Sequence, residues 1–131
     1  MPFANRTVPP SGMMAQSARR AAQAPRGILM ARLIVLYRKP ANPDAFNDYY
    51  FNVHVPIAKQ IPGITAYEVS EGPVATPQGD SSWHLVATLG FATMDALQAA
   101  FASPEGQRAA ADLANFADGG AELLIVNERS I

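Results

Sequence analysis

The 131-residue chain contains no cysteine. This absence excludes a disulfide framework, thiolate metal ligands and a cysteine nucleophile, and it is typical of a reducing compartment, so we expect a cytoplasmic protein. Long apolar runs are also missing. The longest, "ARLIVLY" at 31–37, has the length of a strand and falls well short of the ~20 residues that a membrane-spanning helix needs.

Positive charge is scarce in most of the chain. Four of the ten basic residues are arginines within residues 1–29, which hold no acid, so residues 30–131 carry six basic and eleven acidic side chains. An acidic body without a basic stripe is a poor surface for phosphate backbones. We therefore expect neither a nucleic-acid partner nor a membrane partner.

Sequence motifs for common cofactors are absent as well. The chain has no glycine-rich phosphate loop and no G-x-S-x-G nucleophile elbow,. Its two histidines, in "HVP" and "WHL", lack the spacing of metal ligands,. We predict no metal and no cofactor, with haem binding through a histidine kept as a minor alternative.

Residues 1–29 are rich in Pro, Ala, Ser and Arg and show no sustained periodicity. Such a segment buries too little apolar surface to offset the entropy of ordering, so we predict a disordered extension. The favoured explanation is an upstream start codon, with Met30 as the natural start. A transit peptide, which is also Arg-rich and acid-free, stays open as an alternative. A secretory signal is disfavoured because Arg32 interrupts the only apolar stretch.

The remaining residues, 30–131, form one predicted domain with regular alternation of element types. Asn42 and Thr93 can cap the helical patterns that follow them, and a further helix restarts at Ser103-Pro104-Glu105,. Apolar or alternating segments predict strands at 32–37, 64–70, 83–91 and 121–128,. The order β-α-β-β-α-β predicts an α+β, ferredoxin-like fold with a four-stranded antiparallel sheet and helices on one face.

The strands carry apolar residues on both faces of the predicted sheet. In the first strand Leu33, Val35 and Tyr37 alternate with Ile34 and Leu36. A sheet with one face in water alternates apolar and polar residues instead. The second face therefore needs a cover, and we predict a homodimer in which the open sheet faces pack together.

The stretch "YYFNVHVP" at 49–56 closes the first predicted helix. Pro56 has no N–H, so the helix is expected to break or kink there and leave His54 in its last turn. The predicted apolar stripe is Phe46, Tyr50, Val53 and Ile57. His54 lies at the edge of that stripe, where two interpretations stay open. The imidazole either faces a pocket as a functional group or merely caps free carbonyls at the helix end.

Other side chains are weaker candidates. Tyr49, Tyr50 and Asn115 could reach a ligand, whereas Tyr37 and Tyr67 on strands are expected to pack. Trp83 and His84 are strand neighbours and should point to opposite faces, which sends His84 to the other layer or to an edge. Asp112 follows Arg108 by four residues, which predicts a surface ion pair.

The segment "LIVLYRKPANPDAFNDYYFNVHVPIAKQIPGITAYEVSEGP" resembles the EthD family, named for ethyl tert-butyl ether degradation. The spacing from Tyr50 to His54 to Pro56 is the most specific part, and the resemblance covers about residues 31–128. It implies a dimeric α+β barrel, a fold shared with cofactor-free monooxygenases and with haem-degrading enzymes. The latter use an Asn, Trp and His set, for which this chain offers Asn115, Trp83 and His54.

Two functions follow as expectations. The first is an enzyme that acts on a small hydrophobic or aromatic molecule, a cofactor-independent oxidoreductase of a tailoring or degradation step. His54 would then be catalytic, with Tyr49, Tyr50, Trp83 and Asn115 binding substrate. The alternative is a non-catalytic dimer that binds or carries such a molecule.

Overall fold

A computed structural model describes residues 29–131, with side chains from Met30 onward. The predicted extension at residues 1–29 lies outside this range apart from the backbone of Leu29. Residues 30–127 form one compact unit, and every contact discussed below lies within it.

The elements follow the predicted order, with one addition. The strands are β1 (Leu29–Arg38), β2 (Ile64–Val69), β3 (Ala75–Thr76), β4 (Gly79–Asp80), β5 (Trp83–Phe91) and β6 (Ala121–Arg129). The helices are α1 (Pro43–Tyr49), a π-helical turn (Tyr50–His54), α2 (Val55–Ala58), α3 (Met94–Ala102) and α4 (Pro104–Phe116). The short β3–β4 hairpin lies in the segment at 71–82 that the sequence predicts to be a loop.

The four long strands form one sheet in the order β2-β5-β1-β6, with β5 antiparallel to both β1 and β2. This α+β, ferredoxin-like arrangement confirms the predicted fold class. Alternate residues of β1 and β5 are buried on the helix side of the sheet: Ala31, Leu33, Val35, Tyr37, Leu85, Ala87, Leu89 and Phe91. Ile34 and Leu36, on the opposite face, are only half-buried.

Side chains cap the starts of α1, α3 and α4, as the sequence predicts for Asn42 and Thr93. The Asn42 side chain accepts a hydrogen bond from the Ala45 N–H, and Thr93 accepts one from Ala96. Ser103 ends α3 and caps α4 by accepting from Gly106 N–H. These caps satisfy backbone donors that a helix start leaves free.

The corner between α3 and α4 depends on Gly106. A Cβ atom at this position would lie 2.0 Å from the Ala100 carbonyl oxygen. The two helices therefore approach more closely than any larger residue allows, and Gly106 also lines the cavity described below.

The helix is irregular where the sequence predicts a break or kink before Pro56, but it does not end there and continues to Ala58 through a widened turn. The Val55 N–H bonds to the Tyr50 carbonyl, five residues back, and Val55 keeps helical angles of φ −58° and ψ −47°. In a regular helix the proline ring would clash with the carbonyl four residues earlier. The wider turn accommodates Pro56 without ending the helix.

The same turn changes which residues face the core. The buried positions are Phe46, Tyr50, His54 and Ala58, four residues apart, whereas Val53 is 39% exposed. A regular helix at 3.6 residues per turn drifts by about 40° at each such step. The π turn removes part of that drift, so the predicted stripe through Val53 is wrong and His54 points inward.

A pair of substitutions tests this register. Ala58→Asn should lower the free energy of unfolding by about 2 kcal/mol or more, because it forces a polar group into a buried site. Val53→Asn should change it by about 0.5 kcal/mol or less, as for most exposed positions. Urea denaturation measures both, and the reverse ranking would show that the helix keeps a regular α-helical register.

Candidate functional site

A small, partly open cavity of about 50 Å³ lies between the helices and the sheet. This is roughly the space that two water molecules occupy in the liquid. Its walls are mostly aliphatic, including Leu33 and Val35 from the sheet. Four polar side chains interrupt them: Tyr37, Tyr50, His54 and Tyr67. A mostly apolar cavity with a few convergent polar groups is the usual form of a small-molecule site.

His54 is held in this cavity by a buried carboxylate. Its Nδ1 lies 2.8 Å from Oδ2 of Asp112 on α4, and each side chain is only 6% exposed. The imidazole ring also packs against Phe116, with ring centroids 4.7 Å apart, and against Tyr50 at 5.4 Å. The histidine therefore does not cap helix carbonyls, and its ring orientation is fixed from two sides.

Asp112 receives three hydrogen bonds from three parts of the helical layer. The Tyr49 hydroxyl donates to Oδ1 at 2.7 Å, and the Asn115 side-chain amide donates to the same oxygen at 2.9 Å. His54 Nδ1 bonds the other carboxylate oxygen, Oδ2. A buried carboxylate needs such donors to remain charged.

The expected ion pair between Arg108 and Asp112 is wrong. Arg108 contacts the Gln60 side chain at 3.5 Å, while Asp112 turns into the core. The sequence did contain a signal, because Ala109, Asp112 and Phe116 share the buried face of α4. A carboxylate at an apolar-stripe position indicates a buried partner elsewhere in the chain.

The electrostatics of this pair favour a neutral histidine beside a charged aspartate. Burial lowers the pKa of His54, and the bond to Asp112 opposes this shift only in part. Burial alone raises the pKa of Asp112, but the hydrogen bonds from Tyr49, Asn115 and His54 together hold it below the usual value for aspartate. Because the carboxylate accepts, Nδ1 of the imidazole carries the hydrogen. Nε2 is then the unprotonated nitrogen, which can accept a proton from a ligand.

Two tyrosines form a hydroxyl pair in the same cavity. The hydroxyl oxygens of Tyr50 and Tyr67 lie 2.8 Å apart, and either hydroxyl can donate to the other. The bond uses one of the two hydroxyl hydrogens. Burial raises the pKa of Tyr50 and of Tyr67, so both stay protonated at neutral pH. The hydrogen not used in the pair remains available to a ligand oxygen.

The predicted site residues separate into three groups. His54 and Tyr50 line the cavity. Tyr49 and Asn115 lie behind His54, where they bond Asp112 and do not line the cavity. Trp83 lies elsewhere, with the Arg38 guanidinium stacked 4.6 Å from its ring centroid. The Asn115, Trp83 and His54 set of haem-degrading enzymes is therefore not assembled around one pocket.

Trp83 belongs to an open cleft of about 520 Å³ beside the β3–β4 hairpin. Lys39, Phe51 and His84 line the same cleft. Burial and, secondarily, the charge of Lys39 lower the pKa of His84. The cleft holds both charge signs, because Glu71 and Asp80 also line it.

The sequence predicts that His84 points away from the face of Trp83, to the other layer or to an edge, and the structure places its ring against α1. Its Nε2 lies 2.8 Å from the Asn47 side-chain oxygen, and its ring meets Phe46 edge-on at 4.8 Å. The β1–β5 register shifts at this point, since Tyr37 pairs with Leu85 but Arg38 pairs with Trp83. An irregularity of this kind interrupts strict alternation of faces.

Within residues 29–131, no group of three or more His, Asp or Glu side chains is arranged to hold a metal ion. None of the helices described for this part of the chain is long and apolar enough to cross a membrane.

Comparison with known proteins identifies relatives over most of the domain. Residues 38–120 match the model of the EthD domain family. An uncharacterized 11.0 kDa protein from the thcB–thcC intergenic region of Rhodococcus erythropolis is 39% identical over 102 residues, covering 78% of this chain and 98% of that protein. An EthD family crystal structure from Bacillus halodurans is 33% identical with a TM-score of 0.70, covering 76% of this chain and 98% of that one.

More distant structures share the fold alone. SnoaB from Streptomyces nogalater, described as a cofactor-independent oxygenase, is 18% identical with a TM-score of 0.53 and covers 79% of this chain and 96% of its own. A protein of unknown function from Bacteroides fragilis, described as dimeric and ferredoxin-like, is 19% identical with a TM-score of 0.53 and covers 76% of this chain and 96% of its own.

Nuclear magnetic resonance can test the electrostatics, because the chain has only two histidines. We expect His54 to titrate below the ordinary value of about 6.5. In Asp112→Asn its pKa should fall further, since burial persists while the opposing carboxylate charge is lost. The nitrogen shifts of wild-type His54 should show the hydrogen on Nδ1. His84 is the internal reference and should titrate alike in both proteins.

The sign of this shift also governs stability. The pKa of His54 is lower in the folded protein than in the unfolded chain, so the unfolded chain takes up a proton at a higher pH. Above about pH 6.5 the histidine is neutral in both states and its full contribution to stability is present. That contribution is lost as the pH falls towards the pKa of the folded state. The free energy of unfolding should fall on acidification, and less so in His54→Gln. A His54 titration above 6.5 would contradict this assignment.

Proposed function

This chain belongs to the EthD domain family, and from that starting point we propose that it is an enzyme in which His54 is the general base for a small hydrophobic phenol or enol. The observation that carries the proposal is the buried 2.8 Å contact between His54 Nδ1 and Asp112. A histidine whose Nδ1 bonds a carboxylate is oriented to accept a proton at Nε2.

The proposed reaction begins with binding of the reacting ring or enol in the cavity. His54 Nε2 takes the hydroxyl proton of the substrate, and the resulting imidazolium is stabilised by the Asp112 charge. The hydroxyl pair of Tyr50 and Tyr67 donates to the developing oxyanion. Donors that are already in place stabilise such charge strongly in a dry site.

Oxidation is the step that we propose to follow. The substrate anion is electron-rich and can pass electrons directly to dioxygen, so this chemistry requires no organic cofactor. SnoaB, the fold neighbour described as a cofactor-independent oxygenase, supports such a step by fold analogy alone,.

A non-catalytic binding protein is the second candidate. The modest volume of the cavity, about 50 Å³, favours it, because a cavity that holds a benzene ring has about 150 Å³ and a ring therefore enters here only when the walls move. This candidate predicts affinity for phenols without turnover, and it predicts tolerance of His54 replacements that preserve the shape of the cavity.

The test is dioxygen uptake on a panel of phenols and enolic 1,3-dicarbonyl compounds. His54→Gln should lower turnover by about 100-fold or more, the usual contribution of a general base. His84→Gln is the matched control, because it makes the same replacement at a histidine outside the cavity. Full turnover by a folded His54→Gln protein would sink the base mechanism. Binding without turnover by the wild-type protein would favour the second candidate.

We also propose that the protein is a homodimer through the open sheet face. Ile34 and Leu36 are half-buried there in the single chain. Leu124 is 48% exposed, while its neighbour Leu123 lines the cavity on the helix side. An uncovered apolar face of this kind is typical of an interface. The dimeric Bacteroides fragilis protein with the same fold supports this assembly.

Light scattering after size-exclusion chromatography tests the dimer. The wild-type protein should have twice the mass of one chain at micromolar concentration. Ile34→Lys should yield a folded monomer, because it places a charge at the centre of the interface. Val53→Lys, an equal change at an exposed apolar helix position, should leave the dimer intact. A monomeric wild-type protein would contradict the proposal.

A further inference from the structure

Tyr37 is the one tyrosine of the four whose hydroxyl has no hydrogen-bond partner among the described residues. The Tyr49 hydroxyl bonds Asp112, and the Tyr50 and Tyr67 hydroxyls bond each other. Tyr37 is nevertheless only 2% exposed. Buried polar groups nearly always have partners, so an exception requires an explanation.

Packing gives the Tyr37 ring little freedom to turn towards a partner. It meets Phe46 and Tyr50 edge-on, with centroid distances of 5.4 and 5.6 Å, and Phe116 at 5.6 Å. These contacts need only the ring, which phenylalanine would supply equally well. The hydroxyl thus adds nothing to the packing and leaves a donor unsatisfied, which by itself destabilises a folded protein.

The position of Tyr37 indicates what the hydroxyl is for. Tyr37 lines the same cavity as His54, Tyr50 and Tyr67. Burial, with smaller contributions from Tyr67 and Asp112, raises the pKa of Tyr37 well above that of a free phenol. The group therefore stays protonated and can act as a donor at any physiological pH.

We propose that Tyr37 is a substrate-binding residue whose hydroxyl donates a hydrogen bond to the oxygen of a phenol or enol held against His54. This inference rests on the proposed function, since His54 Nε2 accepts the hydrogen of the same hydroxyl. The substrate oxygen then has a donor and an acceptor on two sides. The cavity selects hydroxylated rings over plain hydrocarbons of equal shape, because a hydrocarbon leaves both protein groups unpaired.

Phenol and toluene are the probes for this selection, because they have the same number of heavy atoms and nearly the same shape. Titration of each into the wild-type protein, followed by nuclear magnetic resonance, should show phenol binding more tightly. In Tyr37→Phe the dissociation constant of phenol should rise about tenfold, equivalent to 1.4 kcal/mol. The dissociation constant of toluene should be unchanged.

Thermal unfolding without any probe separates this role from a structural one. The melting temperature of Tyr37→Phe should equal or exceed that of the wild type, because the variant removes an unsatisfied donor. Tyr50→Phe is the comparison, and it should melt at a lower temperature because it breaks an existing hydrogen bond. A marked loss of stability in Tyr37→Phe would overturn the proposal, since it would reveal a structural partner for the hydroxyl.

The remaining outcomes distinguish this proposal from the proposed function. Unchanged phenol affinity in Tyr37→Phe, or equal wild-type affinities for phenol and toluene, would overturn the role of Tyr37. Neither result bears on proton transfer, which the turnover of His54→Gln tests separately. Conversely, a protein that binds phenol through Tyr37 but never turns over a substrate would retain this inference and lose the base mechanism.

Discussion

The hydrogen bond between His54 and Asp112 is the interaction on which the rest of the site depends. It joins the π turn to α4 and decides which imidazole nitrogen carries the hydrogen, and together with the bonds from Tyr49 and Asn115 it keeps a carboxylate charged inside the core. Removing either partner would leave a buried polar group without compensation, which is costly. Structure and chemistry therefore rely on the same pair of side chains.

This bond in turn requires a helix that does not follow the regular period. Pro56 favours a wider turn, the wider turn points His54 inward, and the inward histidine meets Asp112. Widened turns of this type often occur at functional sites. The rings of Tyr50 and Phe116 pack against the imidazole, and burial lowers its pKa and so favours the neutral form.

Local rules predict the fold because every part of the sequence agrees with it. The strands, the caps at Asn42 and Thr93, and the element order all follow from patterns within a few residues. The site is harder to predict. The inward turn of His54 depends on a change of helical period, and its partner Asp112 lies 58 residues further along the chain. At 3.6 residues per turn, the apolar pattern places Val53 in the core in place of His54. The spacing of four residues predicts an ion pair between Arg108 and Asp112. Both errors arise where tertiary contacts override local geometry.

The π turn also has an evolutionary meaning. A turn of this kind holds one residue more than an α-helical turn, so it is equivalent to a single-residue insertion in an ordinary helix. Because the widened turn absorbs the extra residue, the helical segments before and after it keep nearly the relation that they would have in a regular helix one residue shorter. One inserted residue can therefore change the backbone hydrogen bonds beside His54 while the sheet, the caps and both flanking helical segments stay in place.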